Sequence, residues 1–149
     1  MENRRIVTAV TEDGRSVITE AGPLPRVIEP APGLVLSEQW TCDRLGDGLL
    51  DRPDATTTDF SPVPPPGGAL FRLVVFPPDP VGQMHRTGTV DFVTILSGEL
   101  VLALENGEEA ALGPGDTVVQ RGATHAWRNL TDRPAVASVV LLSGLSEAG

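Results

Sequence analysis

The chain has only two histidines, His85 and His125, and the carboxylate Asp91 stands six positions after the first of them. Imidazole titrates near neutral pH, so a histidine beside a carboxylate can move protons at a bound molecule. Neutral imidazoles with a carboxylate also suit Fe, Zn, Mn, Ni or Co and leave coordination positions for a substrate. The three residues therefore predict an acid–base site or a divalent-metal site. The alternative is that each is an ordinary surface or hydrogen-bonded strand residue.

Strands must bring these side chains together, because side chains two positions apart on a strand share a face. If the chain stays extended through Gly88, one face carries His85, Thr87, Thr89, Asp91, Val93 and Ile95. A second face carries His125, Trp127 and Asn129. A few polar groups among apolar residues are typical of small-molecule sites.

The sequence favours an all-β fold, a sandwich or a barrel. The 16 glycines and 14 prolines suit many turns, and no amphipathic helical window of useful length is present. Strand-like runs rich in Val, Leu, Ile and Phe are "ALFRLVVF", "VDFVTILSG", "ELVLALE" and "AVASVVLL". Asn106-Gly107 predicts a hairpin with a type I′ turn.

We expect one domain in 149 residues, divided into three zones. Residues 1–42 should form N-terminal strands, namely "RRIVTAV", "SVITEA" and, after a Pro-rich break, "PGLVLSEQWT". Residues 43–68 have no sustained period, so this segment is either disordered or functional, for example a lid. Residues 69–142 should form the core barrel.

Charge and composition exclude several partners. The net charge of −9 would repel nucleic acid, and no Lys/Arg cluster offsets it. No run approaches the roughly 18 apolar residues that span a bilayer, and the N-terminus lacks the apolar region of a signal peptide. The single cysteine, Cys42, cannot form an internal disulfide, which indicates a reducing compartment. We therefore expect a cytoplasmic protein with a small-molecule partner.

Two stretches resemble the motifs of the cupins, small double-stranded β-helix or jelly-roll proteins. The first motif, G-x5-H-x-H-x3,4-E-x6-G, is matched by His85, Thr87 in place of the second His, Asp91 in place of Glu, and Gly98. The second, G-x5-P-x-G-x2-H-x3-N, is matched in "GDTVVQRGATHAWRN" by Gly115, Gly122, His125 and Asn129. Arg121 stands where Pro is usual, and the interval to the glycine is one residue shorter. The resemblance covers about half of the chain and implies a jelly-roll barrel with extra N-terminal strands.

In cupins these motif positions usually hold a metal through three His and one Glu. With Thr87 and Asp91 at two of those positions, the resemblance implies a two-His, one-carboxylate set of His85, Asp91 and His125, or no metal at all. Gln83 is a candidate for a further oxygen ligand. Cupins often exchange N-terminal strands between subunits, which implies a homodimer and places Trp40 in the core or the dimer interface.

Four further residues are candidates for substrate contact: Trp127, Thr87, Gln83 and Arg72. Trp127 either stacks on a planar substrate or fills the core. Arg72 either points outward or meets an anionic substrate group, and we expect it to point outward. Arg86 and Arg128 are out of phase with the motif residues and should be solvated. No tyrosine is present, and Cys42 lacks any nucleophile signature.

The leading hypothesis is a small-molecule enzyme of lyase or isomerase type, with secondary metabolism as a candidate setting and with His85, Asp91 and His125 as the catalytic set. Its reaction would be dehydration, decarboxylation, isomerisation or cyclisation. A second hypothesis is a metal-dependent dioxygenase that uses the same three residues as ligands. The third is a non-catalytic ligand-binding module. It is weakened by the acidic charge and by the lack of a DNA-binding segment beside the barrel.

Overall fold

The computed structural model describes residues 3–56 and 59–144. Within these ranges the chain forms strands and a single 3₁₀ turn, Leu49–Asp51, with no α-helix. The strands are β1 Arg4–Val10, β2 Ser16–Pro23, β3 Arg26–Ala31, β4 Leu34–Cys42, β5 Ala69–Phe76, β6 Thr89–Ser97, β7 Leu100–Leu104, β8 Glu109–Leu112, β9 Thr117–Arg121, β10 His125–Arg128 and β11 Ala135–Ser143. No helix in the described ranges is long and apolar enough to span a bilayer.

The strands form three antiparallel sheets. A six-stranded sheet has the order β3-β4-β5-β11-β6-β9, and a three-stranded sheet has the order β10-β7-β8. The apolar faces of these two sheets enclose the core, while β1 and β2 pair with each other and with no other strand of the described residues. The predicted jelly-roll barrel with extra N-terminal strands is confirmed.

The barrel interior is divided into two halves along β6. At the end of β6, Val93 and Ile95 are buried with Leu100 of the small sheet and with Ala135 and Ala137 of β11. We call this end the apolar half. At the start of the strand lies the polar half, whose buried side chains are Glu38, Arg72, Thr89, Asp91, Gln120 and His125. The interior is thus apolar at one end and polar at the other.

Two glycines shape the hairpins around this interior. Gly98, between β6 and β7, has φ +73°, and a Cβ there would lie 2.7 Å from the Cα of Ala135. The motif position of Gly98 is thus set by backbone conformation and by close packing. The hairpin predicted at Asn106-Gly107 is present, but the type I′ turn is wrong. That turn needs a positive φ at both residues, and only Gly107, at φ +88°, has one.

The Pro-rich break contains a strand that the sequence analysis missed. β3 includes Pro30 and pairs with β4 at the edge of the six-stranded sheet. A proline cannot donate to a ladder hydrogen bond, so it is tolerated where one side of the strand is free. The proline content of residues 23–32 therefore concealed an edge strand.

The segment 43–68 is held to the barrel by hydrogen bonds. Asp54 accepts from the backbone N–H of Thr41 at 3.2 Å and of Thr56 at 2.9 Å. Burial by itself would raise the pKa of the Asp54 carboxyl, but the hydrogen bonds from Thr56, Arg5 and Thr41 outweigh burial and lower it. The Arg5 guanidinium of β1 bridges Asp54 and Glu20 and lies 5.7 Å from the ring centroid of Trp40. Arg5 therefore joins the N-terminal β1–β2 hairpin to the segment through its ion pair with Asp54. A lid function for the segment stays a prediction.

Candidate functional site

His85 and His125 meet in the structure although forty residues separate them in the chain. The backbone N–H of each donates to the carbonyl of the other, with both distances 2.9 Å. The ring centroids lie 4.4 Å apart. His85 is exposed and His125 is buried, with 2 % of its surface accessible. The two histidines thus form a pair that reaches from the surface into the polar half.

Each imidazole is oriented by a carbonyl two residues earlier in the chain. His85 Nδ1 lies 2.9 Å from the Gln83 carbonyl oxygen, and His125 Nδ1 lies 2.9 Å from that of Ala123. An Nδ1–H that donates to this carbonyl leaves the lone pair on Nε2. Gln120 Nε2 also lies 2.7 Å from His125 Nδ1, and it can donate to that nitrogen only when the imidazole proton is on Nε2. The Ala123 carbonyl favours the other tautomer of His125, in which Nε2 has the free lone pair, and the Gln83 carbonyl does the same for His85.

Asp91 lies in the polar half, with 7 % of its surface accessible. The Thr89 hydroxyl donates to Asp91 Oδ1 at 2.6 Å and lies 2.8 Å from the Thr87 hydroxyl. Burial raises the pKa of Asp91 above its usual value, against the opposing effects of the Thr89 hydrogen bond and of the charges on His125, His85 and Arg72. Asp91 is thus electrostatically linked to both histidines.

The pKa of His125 moves in the opposite direction. Burial lowers it below the usual 6.5, and the Ala123 carbonyl opposes this shift. The charge of His85 lowers the pKa further, while that of Asp91 raises it. Desolvation therefore favours the neutral forms of Asp91 and His125 and brings their pKa values closer together. A carboxyl with a raised pKa next to an imidazole with a lowered pKa is a candidate acid–base pair.

The expectation that Arg72 points outward is wrong. Its guanidinium is buried and pairs with Glu38 at 3.1 Å, and the two residues are register partners on β5 and β4. Arg72 also donates to the Ser61 carbonyl at 3.3 Å, and burial lowers its pKa. An interior carboxylate makes the inward orientation possible, because a buried charge needs a partner. Contact between Arg72 and a substrate stays a prediction.

The other residues considered from the sequence, Trp127, Gln83, Arg86 and Arg128, differ in burial and in their contacts. The half-buried Trp127 packs on the apolar half, with its ring centroid 6.0 Å from that of Phe76, in agreement with the core alternative. Gln83 is exposed. Arg86 is exposed as expected, but Arg128 is not simply solvated, because it pairs with Glu109 and donates to the Pro80 carbonyl at 2.7 Å. Substrate contacts of Trp127 and Gln83 stay predictions.

Sequence reasoning missed two polar residues of the site. Gln120 is the register partner of Asp91 across β6 and β9, and its side chain is pinned by the backbone of Ala123 at 3.1 Å. Glu38 is the partner of Arg72. Both residues share their strands with other polar side chains, so no local signal marked them, and their pairing partners lie on strands far apart in sequence.

The three candidate ligands do not form a complete metal set. Within residues 3–56 and 59–144, no three His, Cys, Asp or Glu side chains are arranged so that they could hold a metal ion. Aspartate is one methylene shorter than the usual glutamate, and its Oδ1 is held by Thr89. The two imidazoles suit a metal, but Asp91 does not complete a three-ligand group with them. The metal-ligand role of these residues stays a prediction that the arrangement does not support.

A groove lies at the rim of the barrel beside the polar half. It encloses about 550 Å³ and is lined by Arg86, Thr87, Gly88, Thr89, Val90, Arg121, Gly122, Leu142 and Gly144. The hydroxyls of Thr87 and Thr89 therefore connect this groove with Asp91. A small molecule in the groove would lie beside the hydroxyls that lead to the buried carboxylate.

Comparison with known proteins assigns the fold to a family. Residues 72–141 match the family model described as "Cupin domain". The chain contains a cupin domain. The cupin domain of Schizosaccharomyces pombe Cnp3 superposes with a TM-score of 0.57 at 9% identity, over 96% of this chain and 89% of that one. An RmlC-like cupin from Shewanella frigidimarina gives a TM-score of 0.51 at 11% identity, over 80% and 84%. These two likenesses show the fold alone.

Sequence relatives of this cupin domain include fungal proteins. Oryzines biosynthesis cluster protein J of Aspergillus oryzae is 40% identical over 100 residues, 67% of this chain and 50% of the relative. Phomopsin biosynthesis cluster protein C' of Diaporthe leptostromiformis is 42% identical over 86 residues, 54% and 46%. Cupin-domain-containing oxidoreductase srdB of Neurospora crassa is 41% identical over 71 residues, 47% and 36%. The matches span half or less of the relatives' length.

Proposed function

We propose that this cupin domain is a small-molecule enzyme in which Asp91, His125 and His85 transfer protons at a bound substrate. The observation that carries the proposal is the buried Asp91 beside the histidine pair, with the pKa of Asp91 raised and that of His125 lowered. Titratable groups whose pKa values are shifted in this way are often found at functional sites. The reaction class is that of a lyase or isomerase: dehydration, decarboxylation, isomerisation or cyclisation.

In this mechanism the neutral His125 accepts a proton at Nε2, while its Nδ1–H donates to the Ala123 carbonyl. Asp91, whose protonated form is favoured by burial, returns a proton to a second atom of the substrate. A positioned acid or base of this kind contributes roughly 10²- to 10⁴-fold in rate. His85 packs on the ring of His125 and adjusts its pKa by charge.

The two threonine hydroxyls supply a path for protons between Asp91 and the rim groove. A carboxylate can only accept, so the single hydroxyl proton of Thr89 goes to Asp91, and Thr87 then donates to Thr89. When Asp91 is protonated the direction of both bonds can reverse. The residue that replaces a family histidine, Thr87, would thus carry protons rather than bind a metal.

The relatives support an enzymatic role in a biosynthetic setting. Two of them are named as proteins of biosynthesis clusters, for oryzines and for phomopsin. We extend this setting, secondary metabolism, to the present chain as part of the proposal. A homodimer and a cytoplasmic location stay predictions.

A second candidate function is a redox reaction on a small molecule. It is favoured by the name oxidoreductase, which several relatives from fungi carry. The donor set of this chain does not support a three-ligand metal site, so we derive no step through a metal. Metal analysis together with oxygen consumption after incubation with Fe(II) separates this candidate from proton transfer.

The test is deuterium incorporation from D₂O into a panel of small carbonyl compounds and hydroxy acids, measured by mass spectrometry. We expect wild-type protein to exchange a carbon-bound hydrogen in at least one compound, with or without chelator. Asp91→Asn and His125→Asn should lose at least 100-fold of that rate. Asp132→Asn is the matched control, because Asp132 is exposed and pairs only with Arg133. Exchange that chelator abolishes, or that survives both substitutions, would overturn the proposal.

A further inference from the structure

We propose that two copies of this chain form a symmetric dimer through the outer face of the six-stranded sheet. Side chains alternate between the two faces of a strand, so the residues next to the buried Leu70, Arg72 and Asp91 face outward. This face is on the opposite side of the sheet from Asp91, so the inference does not depend on the proposed function. It also differs from an exchange of N-terminal strands, because it uses β4, β5, β11, β6 and β9.

One row of apolar side chains crosses the outer face. Phe71 of β5 is the register partner of Trp40 on β4 and of Val140 on β11. Phe92 of β6 is the register partner of Val140 and of Val119 on β9. We call these five residues the outer row. Phe71, Phe92 and Val119 expose 39%, 46% and 59% of their surface, so much of the row remains in contact with solvent. Contiguous exposed apolar side chains of this kind mark interaction surfaces.

The size of the outer face suits an interface between two copies. Leu73 and Val75 of β5 and Leu96 of β6 extend the apolar surface along the strands. Strands lie about 4.8 Å apart and rise about 3.4 Å per residue, so five strands over six residues cover roughly 500 Å² in projection. Side chains that stand out from the sheet raise the accessible area above this value. A specific interface of standard size buries about 800 Å² on each partner, so the face is of the order that a stable dimer needs.

The outer face lacks the acidic groups that dominate the rest of the chain. The sequence has 20 acidic residues, but the five strands contain only Glu38 and Asp91, and both are buried in the interior. Arg121, at the end of β9, is an exposed cation at the edge of the face. Two chains with a net charge of −9 repel each other, and contact through this face keeps the carboxylates of both copies outside the interface. A cationic partner, by contrast, would find no carboxylate in these strands to pair with on this side of the sheet.

The outer row is nearly symmetric about β11, as a two-fold interface requires. β5 and β6 flank β11, and each contributes a phenylalanine to the row. A two-fold axis parallel to β11 places Phe71 opposite Phe92 of the partner subunit, and Trp40 opposite Val119 of the partner subunit. Facing sheets pack about 10 Å apart with their strands aligned within about 30°, so these side chains meet and the phenylalanines form aromatic pairs. The row therefore complements itself, which favours a second copy over a partner of other sequence.

The test is sedimentation equilibrium over a concentration series with wild type, Phe71→Lys, Phe92→Glu and an equimolar mixture of the two variants. We expect wild type to form dimers. Each variant alone should weaken dimerisation at least about 100-fold, because each change occurs twice in the symmetric interface. In the mixture the introduced lysine lies opposite the introduced glutamate, and the other phenylalanine pair is intact. The mixture should therefore dimerise at least about tenfold more tightly than either variant, which also shows that both variants are folded.

Val81→Glu and Ile18→Glu are the controls, and both should dimerise like wild type. Val81 and Ile18 expose 77% and 65% of their surface, but Val81 lies between β5 and β6 and Ile18 lies in the N-terminal hairpin. Three outcomes would overturn the inference. These are a wild type that is monomeric over the whole series, a mixture that associates no better than either variant, or a dimer that Ile18→Glu disrupts and Phe92→Glu leaves intact.

Discussion

Three groups that can carry positive charge, Arg72, His85 and His125, act on Asp91, yet burial still raises the pKa of this carboxyl. The reason is that Arg72 is already paired with Glu38, so the charge of this arginine is largely compensated. Burial also disfavours the charged form of His125. Desolvation therefore outweighs Coulombic attraction at Asp91.

Replacement of Asp91 by asparagine should lower the pKa of His125 further below 6.5. The carboxylate stabilises the imidazolium, so its removal leaves burial and the charge of His85 without that opposition. The measurement is an NMR titration of the His125 Cε1 proton. Asp132→Asn should leave the value unchanged, and an unchanged or raised pKa in Asp91→Asn would show that the two groups are not coupled.

The contact between His85 and His125 and the burial of Asp91 agree with the motif spacing, which is a local signal, while a shared role of the three residues stays a prediction. The orientation of Arg72 could not be predicted. Strand alternation alone allowed Arg72 to face either the interior or the solvent. The inward orientation depends on Glu38, which lies 34 positions earlier in the chain. Polar residues that pair across strands distant in sequence leave no local pattern.

Among the elements, the strands of the core were predictable from their apolar runs, and the turns were not. β3 was concealed by Pro30, and the turn at Asn106-Gly107 was assigned the wrong type. Turn type depends on how the backbone of both strands continues, which residue types alone do not determine. Gly98, by contrast, was placed by the motif, and the structure supplies its physical reason.

Gly98→Ala should cost more stability than Gly107→Ala. Both glycines have positive φ, so each alanine should cost about 1 kcal/mol in backbone conformation. At Gly98 the new Cβ would also meet Ala135 and the Pro134 carbonyl, within 2.9 Å, whereas at Gly107 it would meet open space. Overpacking adds about 1–3 kcal/mol. Urea unfolding of both variants measures the difference, and equal costs would contradict the close approach.

For the whole molecule, the buried Arg72–Glu38 pair joins β5 to β4 inside the barrel. Arg72→Met should destabilise the chain by about 3–5 kcal/mol, because Glu38 would be left buried without a partner. The double variant Arg72→Met/Glu38→Leu should recover most of that loss, since no charge remains uncompensated. Urea unfolding at neutral pH measures both. A double variant that is no more stable than Arg72→Met would contradict this prediction.

The division of the interior into an apolar and a polar half determines how a small molecule can reach Asp91. Because Val93, Ile95, Leu100, Ala135 and Ala137 fill one end of the barrel, we expect a molecule that reaches Asp91 to enter at the other end, beside Thr87 and Thr89. If the chain has the proposed activity, substrate and product bind there in turn, so product should act as a competitive inhibitor. Selectivity can be altered at the rim without disturbing the packed end, and a change at the packed end would alter stability first.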